Sequence, residues 1–420
     1  MATYIQRELY LRQLIDRKDN GEVKIITGNR RCGKSWLLEK LYYDWLIGQG
    51  VPEDHVIVIS FDEDSYDSDI EFTDPSQLKH YLKEHILDED PYYVFLDEIQ
   101  EVEGFEKIVN GLNAKENIDV YVTGSNSKFL SSDINTLFRG RGDEVRVYPF
   151  TFKEFCTGRT EPVNELWKEY YTYGGMPALR VHKTPEEKVK YLKRLWNKTY
   201  IDDVVERNHV KNRQALEGLV DTLCSSIGSL TNPNNIANSL GSVSKIKVDA
   251  DTISTYLGYL ENAFLFKGAS RYNIKGKKYF EYIKKYYIVD VGLRNARLNF
   301  RQQEITHIME NVIFNELLAR GYSVDVGIVA TREMEDGKQK YKQREVDFIA
   351  TDGILKWYIQ SAFAIPDEEK RMQETASLRK INDSFRKIVI VGTDIAPYTD
   401  ADGISYMGLF DFLLQEEKLS

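Results

Sequence analysis

The stretch KIITGNRRCGKSWLLEKLY, residues 24–42, decides the fold. A β-branched run leads directly into Gly28-Asn29-Arg30-Arg31-Cys32-Gly33-Lys34-Ser35, and an amphipathic helical run begins directly after it at Trp36. A glycine-framed loop between a strand and a helix turns its backbone N–H groups inward at the positive end of that helix, which suits it to phosphate. Gly28 and Gly33 permit the turn, Lys34 is placed to reach the β- and γ-phosphates of a nucleotide, and the Ser35 hydroxyl is placed to ligate Mg²⁺. Asn29, Arg30, Arg31, Cys32 and Trp36 line the same bend. The alternative, an accidental Gly-Lys-Ser in an ordinary turn, is disfavoured by the flanking strand and helix.

Downstream, PYYVFLDEIQ (residues 91–100) is an apolar strand ending in Asp97-Glu98, the second half that such a loop requires. Asp97 is expected to hold the Mg²⁺ shell and Glu98 to orient and polarise an attacking water, so ATP hydrolysis rests on Glu98. The next apolar run, DVYVTGSNS (119–127), ends in small polar residues. They suit contact with a γ-phosphate and suit a plain strand-to-helix turn equally well. In LFRGRGDEVRVYPF (137–150), Arg139 and more so Arg141 are placed to stabilise charge on a transferring phosphoryl group, within the subunit or across to a neighbour. Tyr173-Gly174-Gly175-Met176-Pro177 interrupts a helical region, as a hinge against the nucleotide or as a loop between helices.

The first 150 residues alternate strand-like runs (Val23–Thr27, Val56–Ser60, Tyr92–Leu96, Val120–Thr123, Val145–Tyr148) with helical stretches, the pattern of a parallel sheet flanked by helices. Residues 151–210 read as a helical lid. Residues 211–284 give three short helices and two strand-like runs around Gly276, the outline of a winged helix-turn-helix, with Asp251 expected to cap the third helix. Residues 285–420 return to mixed α/β. At 420 residues the chain exceeds one core, consistent with this division.

Hydrophobic residues at 42% and charged residues at 29% describe an ordinary globular chain. No apolar run approaches ~18 residues, so no membrane contact and a cytoplasmic location are expected. The three cysteines lack CxxC spacing, which predicts reduced thiols. A net charge of −10 excludes a chain that coats nucleic acid over its whole surface. Within it, Lys267, Arg271, Lys275, Lys277, Lys278, Lys284 and Lys285 face only Glu281 between Leu265 and Lys285. That basic stretch makes DNA a candidate partner through Arg271, Lys275, Lys277 and Lys278. Lysines that keep an edge hairpin soluble are the competing reading.

Taken in order, GNRRCGKS, FLDEIQ, TGSNSKFLSS, FRGR, YPFTFKEF, YGGMPA, NNIANSLG to TISTYLGYLENAFLF, KYYIVDVGLRNA, ENVIFNELLARGY, EVDFIA and YIQSAFAI resemble a prokaryotic family of AAA-type ATPases. Members of that family carry a C-terminal domain related to PD-(D/E)xK nucleases. The resemblance implies an α/β P-loop NTPase core with helical lid, a winged helix-turn-helix and an α/β restriction-endonuclease-like domain. It assigns Gly28, Gly33, Lys34 and Ser35 to the nucleotide loop, Asp97 and Glu98 to the acid pair, Ser125-Asn126 to the sensor and Arg141 to a GR element. Gly175 and Pro177 fall in a lid motif near adenine.

A PD-(D/E)xK centre uses carboxylates to hold Mg²⁺ and a lysine to activate water. Glu310, Asp347 and Gln360 occupy the matching positions, and Ala362 stands where the lysine belongs. A degenerate centre, with no cation close enough to replace that lysine, is expected. Three functions remain open: an ATPase whose nucleotide state controls DNA engagement, a nucleotide-regulated signalling switch of the STAND kind with protein-docking domains, and an ATP-gated nuclease. ATP or ADP with Mg²⁺ is common to all three, and a homo-oligomer is compatible with each.

Overall fold

A computed structural model describes residues 4–61, 75–124, 138, 140–335, 338–415 and 418–419. The chain divides into one unit of Met1–Pro149 with Asn262–Phe264 and a second of Phe150–Glu261 with Leu265–Ser420.

In the first unit, β1 (Val23–Thr27), β2 (Val56–Ser60), β3 (Tyr92–Asp97), β4 (Ile118–Gly124) and β5 (Gly142–Arg146) form a sheet in the order β2-β3-β4-β1-β5. Every neighbouring pair is parallel. A parallel sheet is covered on both faces, so its central strands read as continuous apolar runs. Accordingly β1, β3 and β4 are buried at every position. One face packs Ile25, Val94 and Val122 against Leu78, Leu82 and Val109, and the other packs Ile26, Phe95 and Tyr121 against Leu14, Leu37 and Leu41. Lys24 breaks the apolar rule: fully buried, it is neutralised by Asp119, which also accepts from Tyr121 Oη at 2.7 Å. The last strand begins earlier than Val145, because pairing with β1 in register, Val23 opposite Gly142, recruits residues of low strand propensity.

β4 stands between β1 and β3. The loop after β1, the acids at the end of β3 and Thr123 near the end of β4 therefore gather at one edge, the carboxyl ends of parallel strands, where α/β sheets hold ligands.

The second unit begins with helices Phe152–Cys156, Val163–Tyr173 and Pro185–Arg194. The three helices expected next occur at Arg213–Ser225, Pro233–Val243 and Ala250–Asn262. The third is capped by Asp249 rather than Asp251, since Asp249 Oδ1 accepts from Thr252 N at 2.7 Å and Asp251 already lies inside the helix. Leu230–Thr231 (β6), Phe266–Asn273 (β7) and Lys278–Ile288 (β8) then join Ser323–Glu335 (β9), Lys338–Asp352 (β10), Leu355–Ala362 (β11), Arg386–Val391 (β12), Tyr398–Thr399 (β13) and Ile404–Gly408 (β14). Together they make a nine-stranded sheet among the described residues, in the order β13-β14-β12-β11-β10-β9-β7-β8-β6. The β7–β8 hairpin around Gly276 continues into the C-terminal strands, because β7 pairs in parallel with β9, Arg271 opposite Val326.

Tyr173-Gly174-Gly175 has a packing explanation inside this unit. Gly174 turns with φ at 80°, and Gly175 N–H donates to Asp290 Oδ2 at 2.7 Å while its carbonyl accepts from Phe150 N. Asp290 Oδ1 accepts from Leu293 N at 3.0 Å and so caps the helix Val291–Arg297. Burial pushes the Asp290 carboxyl up to about 6, against the pull of these backbone donors.

Candidate functional site

The loop after β1 has the backbone its glycines foreshadow. Gly28 has φ at 147°, and a Cβ there would lie 2.3 Å from the Val147 carbonyl oxygen; Gly33 has φ at 99°. Asn29 and Cys32 point inward and are buried, Cys32 Sγ lying 3.5 Å from Val147 O, whereas Arg30 and Arg31 are exposed. All three cysteines are free thiols. Trp36 opens the following helix, which winds as a π-helix over Trp36–Tyr42 and as an α-helix over Tyr43–Gly48. Its ring is exposed and lies 5.1 Å from that of Tyr4.

Lys34 is only 4% exposed, and its Nζ donates to the carbonyls of Gly28 at 3.3 Å and Asn29 at 3.5 Å. The same Nζ lies 3.5 Å from Glu98 Oε1. Ser35 Oγ donates to Asp97 Oδ2 at 2.8 Å, bringing the two expected Mg²⁺ residues together across 62 residues of sequence. Thr123 ties the acids to β4: its Oγ1 donates to Asp97 Oδ1 at 2.5 Å and accepts from Glu98 N at 2.9 Å. Glu98 sits in the left-handed region at φ 52°, a conformation that costs a non-glycine residue and turns its carboxylate toward Lys34. Gln100 Nε2 donates to Glu98 Oε2 at 2.5 Å. Burial raises the Asp97 carboxyl above the usual range, opposed by the hydrogen bond from Thr123. A hydroxyl beside a carboxylate, a buried ammonium and a glycine-lined bend form a donor set that fits the phosphates and Mg²⁺ of a nucleotide.

Three contributors were not legible as site residues. Arg7, buried at φ 48°, donates to the Cys32 carbonyl at 2.8 Å and the Tyr148 carbonyl at 2.7 Å, so it pins the N-terminal segment onto the loop. Gln100 holds Glu98. Glu39, one turn beyond Ser35, has a buried Oε1 without a hydrogen-bond partner, and burial together with Asp97 pushes its carboxyl up to about 7. Arg7 and Glu39 fall in no motif, since one acts through a contact distant in sequence and the other through burial; Gln100 ends FLDEIQ, but its residue type does not say that its amide turns back onto Glu98.

Arg141 is exposed just before β5, and its carbonyl accepts from Val23 N at 2.8 Å. Ser125, Asn126 and Arg139 lie outside the described residues. Gly175 and Pro177 belong to the second unit, in the turn held by Asp290 and in the 3₁₀ turn Pro177–Val181.

The second unit gathers another cluster. Glu310 comes from the helix Ile305–Ala319, Asp347 from a register shift in β10 between Val346 and Ile349, and Gln360 from β11. Gln360 Nε2 and Ser361 N both donate to Asp347 Oδ2 at 2.8 Å. Glu310 Oε1 accepts from Tyr287 Oη at 2.7 Å and from Lys285 Nζ at 3.1 Å, and Lys285 Nζ also lies 2.6 Å from Glu345 Oε1. The expectation that no cation stands near these acids is therefore corrected. Lys285, counted above in the basic stretch, is 6% exposed and turned into the cluster, because alternation along β8 sends it to the face opposite Lys284. The turn of the hairpin keeps Lys275, Lys277 and Lys278 exposed, while Arg271 lies over the Phe280 ring at 4.9 Å and donates to Gln343 at 3.3 Å. Among the described residues no helix is long and apolar enough to cross a membrane.

The first of these sites lies in a stretch that matches a known family. The family described as an AAA domain matches residues 20–156, and a domain of unknown function (DUF8612) matches residues 164–304. An uncharacterized protein of Haemophilus influenzae is 37% identical over 98% of this chain and 99% of its own length. An uncharacterized protein of Methanocaldococcus jannaschii is 28% identical over 95% of this chain and 86% of its own length. A solved structure of the Aeropyrum pernix ORC1 protein in complex with DNA aligns with 71% of this chain and 94% of that one, at 13% identity and a TM-score of 0.30, too distant to bear on function. At 37% identity along its whole length, the chain belongs to the family of the Haemophilus influenzae protein, and it carries an AAA domain over residues 20–156.

Proposed function

We propose that this protein is a Mg²⁺-dependent ATPase whose nucleotide state controls engagement of DNA. The observation that carries the ATPase reading is the Ser35–Asp97 contact at 2.8 Å with Glu98 held beside Lys34, on a glycine loop that tolerates no side chain at position 28. Backbone N–H groups of Gly33, Lys34 and Ser35 bind the phosphates of ATP, Lys34 neutralises their charge, and Glu98 orients the attacking water and accepts its proton. Ser35 and Asp97 would hold a Mg²⁺ ion, which would supply charge neutralisation on the phosphates. Trp36, Asn29, Arg30, Arg31 and Cys32 border the nucleotide, Asn126 senses its γ-phosphate, and Gly175 and Pro177 form the lid motif. Function divides as residues 1–150 for ATP, 151–210 as lid, 211–284 as a winged helix and 285–420 as a nuclease-like unit that binds rather than cuts.

For DNA, support comes from Lys275, Lys277 and Lys278, exposed together at one hairpin turn of an otherwise acidic chain. The test is the ATPase rate with and without double-stranded, single-stranded and branched DNA. Stimulation is expected, and a rate indifferent to all three would favour the signalling-switch reading. A Lys275→Ala/Lys277→Ala/Lys278→Ala variant is expected to bind DNA more weakly and with a salt slope shallower by roughly 2 to 3, since each phosphate contact contributes about 0.9. An unchanged slope would assign the hairpin to a protein partner.

Arg141, exposed beside β5, acts on the phosphoryl group within its own subunit or from a neighbouring one. Arg141→Ala is expected to lower turnover on the order of 10-fold or more without weakening ATP binding. For a finger supplied in trans, wild-type activity should rise more than linearly with protein concentration, and a strictly proportional rate from a dilute monomer would exclude it.

A further inference from the structure

A nuclease-like centre calls for a divalent cation between Glu310, Asp347 and the residue at 360, and the side chains present do not fit one. Among the described residues no group of three or more His, Cys, Asp and Glu side chains is arranged to hold a metal ion. Asp347 is 8% exposed, and its Oδ2 takes two donors from β11, Gln360 Nε2 and Ser361 N. Glu310 Oε1 already accepts from Tyr287 Oη and Lys285 Nζ. The Lys285 ammonium bridges Glu310 and Glu345 at 3.1 and 2.6 Å, with 7% of its side chain exposed.

We propose that Lys285 is a tethered cation that takes the place of a divalent metal in the Glu310–Glu345–Asp347 centre. Three carboxylates brought this close need a positive charge among them, since an uncompensated buried charge destabilises a fold strongly. Lys285 supplies that charge from β8, the strand that faces the Glu310 helix, and a hydrogen bond from Tyr287 on the same face fixes Glu310 in place. Burial opposes the ammonium, but Glu310, Asp347 and Glu345 together keep it protonated above its usual range. Burial and the nearby Glu310 push the Asp347 carboxyl well above the ordinary carboxylate range, and its Oδ2 already takes the two donors from β11.

A metal ion at about 2.1 Å from its oxygens would have to displace this ammonium from both of its carboxylates. The covalently attached charge therefore holds the slot permanently. Glycine at 228 belongs to the same arrangement: a Cβ there would lie 3.1 Å from Glu310 Oε1 and 3.3 Å from the Tyr287 ring. The proposal rests on this cluster alone and stands or falls separately from the ATPase reading.

The test is Mn²⁺ binding to the nucleotide-free full chain, followed by electron paramagnetic resonance of free Mn²⁺ and by the thermal midpoint with and without the ion. Wild type and Lys285→Arg are expected to bind no Mn²⁺ at this centre. Once the ammonium that holds Glu310 and Glu345 apart is gone, both can turn onto an ion beside Asp347, so Lys285→Ala, which opens the slot, and Lys285→Gln, which keeps the stem without the charge, are expected to gain a Mn²⁺ site. Both should be stabilised by the ion, and the gain should vanish when Asp347→Asn is added. A variant that folds only when Mn²⁺ is present would support the same conclusion. Mn²⁺ binding by the wild-type chain that Asp347→Asn removes would overturn it, as would failure of both Lys285→Ala and Lys285→Gln to take up the ion.

Discussion

Lys34→Ala is expected to weaken ATP binding on the order of 100-fold or more, while Glu98→Gln keeps ATP affinity and loses on the order of 10² to 10³ in turnover. The contrast follows from what each group touches. Lys34 is a buried ammonium inside the phosphate loop, so its charge acts on the bound nucleotide before any reaction begins. Removing it takes away the buried cation that the loop holds beside Glu98, leaving the phosphate charge to the neutral N–H donors inside the bend and the exposed Arg30 and Arg31 at its rim. Glu98 sits at the end of β3, held by Gln100 and by the left-handed backbone that Thr123 anchors, and acts on the attacking water. Glutamine retains its shape and can still accept a hydrogen bond, but it cannot take a proton. Fluorescent-nucleotide titration and steady-state phosphate release separate the two effects. Full turnover in Glu98→Gln would remove Glu98 from the chemistry, and unaltered affinity in Lys34→Ala would mean that the loop does not hold ATP.

Gly292→Ala is expected to destabilise the second unit by about 3 kcal/mol, lowering its thermal midpoint by roughly 5–10 °C. A Cβ at this position would lie 1.8 Å from the Tyr173 carbonyl oxygen and 2.2 Å from its carbon. Both are backbone atoms, so no side chain can rotate away to relieve the overlap. The helix Val291–Arg297 would have to retreat from the turn at Gly174, breaking the bond from Gly175 N to Asp290 and the two bonds from Asn295 Nδ2 to the carbonyls of Tyr171 and Thr172. A control at Gly258, in a helix with nothing within 4 Å of the added Cβ, should be neutral or slightly stabilising. Differential scanning calorimetry that resolves the two units provides the measurement. Equal midpoints for wild type and Gly292→Ala would show that the turn is not the close contact described.

Much of the first unit was legible because its signals are local. An apolar, β-branched run cannot remain in water, and two glycines before Lys-Ser admit few backbones other than a phosphate loop. The strands Val23–Thr27 and Val56–Ser60 occur at the bounds the pattern predicts, and the loop and acid pair meet through Ser35 and Asp97. Lys24 was not legible: inside an apolar strand it signals nothing, and its burial depends on Asp119 arriving from β4.

In the second unit the sequence by itself determined the three helices before the hairpin, the hairpin around Gly276 and the helix that carries Glu310. Each follows from periodicity, capping or motif, all of them properties of neighbouring residues. Only tertiary structure decided that β7 would pair with β9 and extend one sheet through the unit, since strand pairing depends on partners far along the chain. It also decided the fate of Lys285. A run of lysines reads as a solvated basic stretch, yet alternation along β8 turns this one inward, where Glu310 and Glu345 arrive from a helix and a strand that follow it in sequence. A charge is defined by what surrounds it, and here the surroundings exist only after the sheet has closed over them.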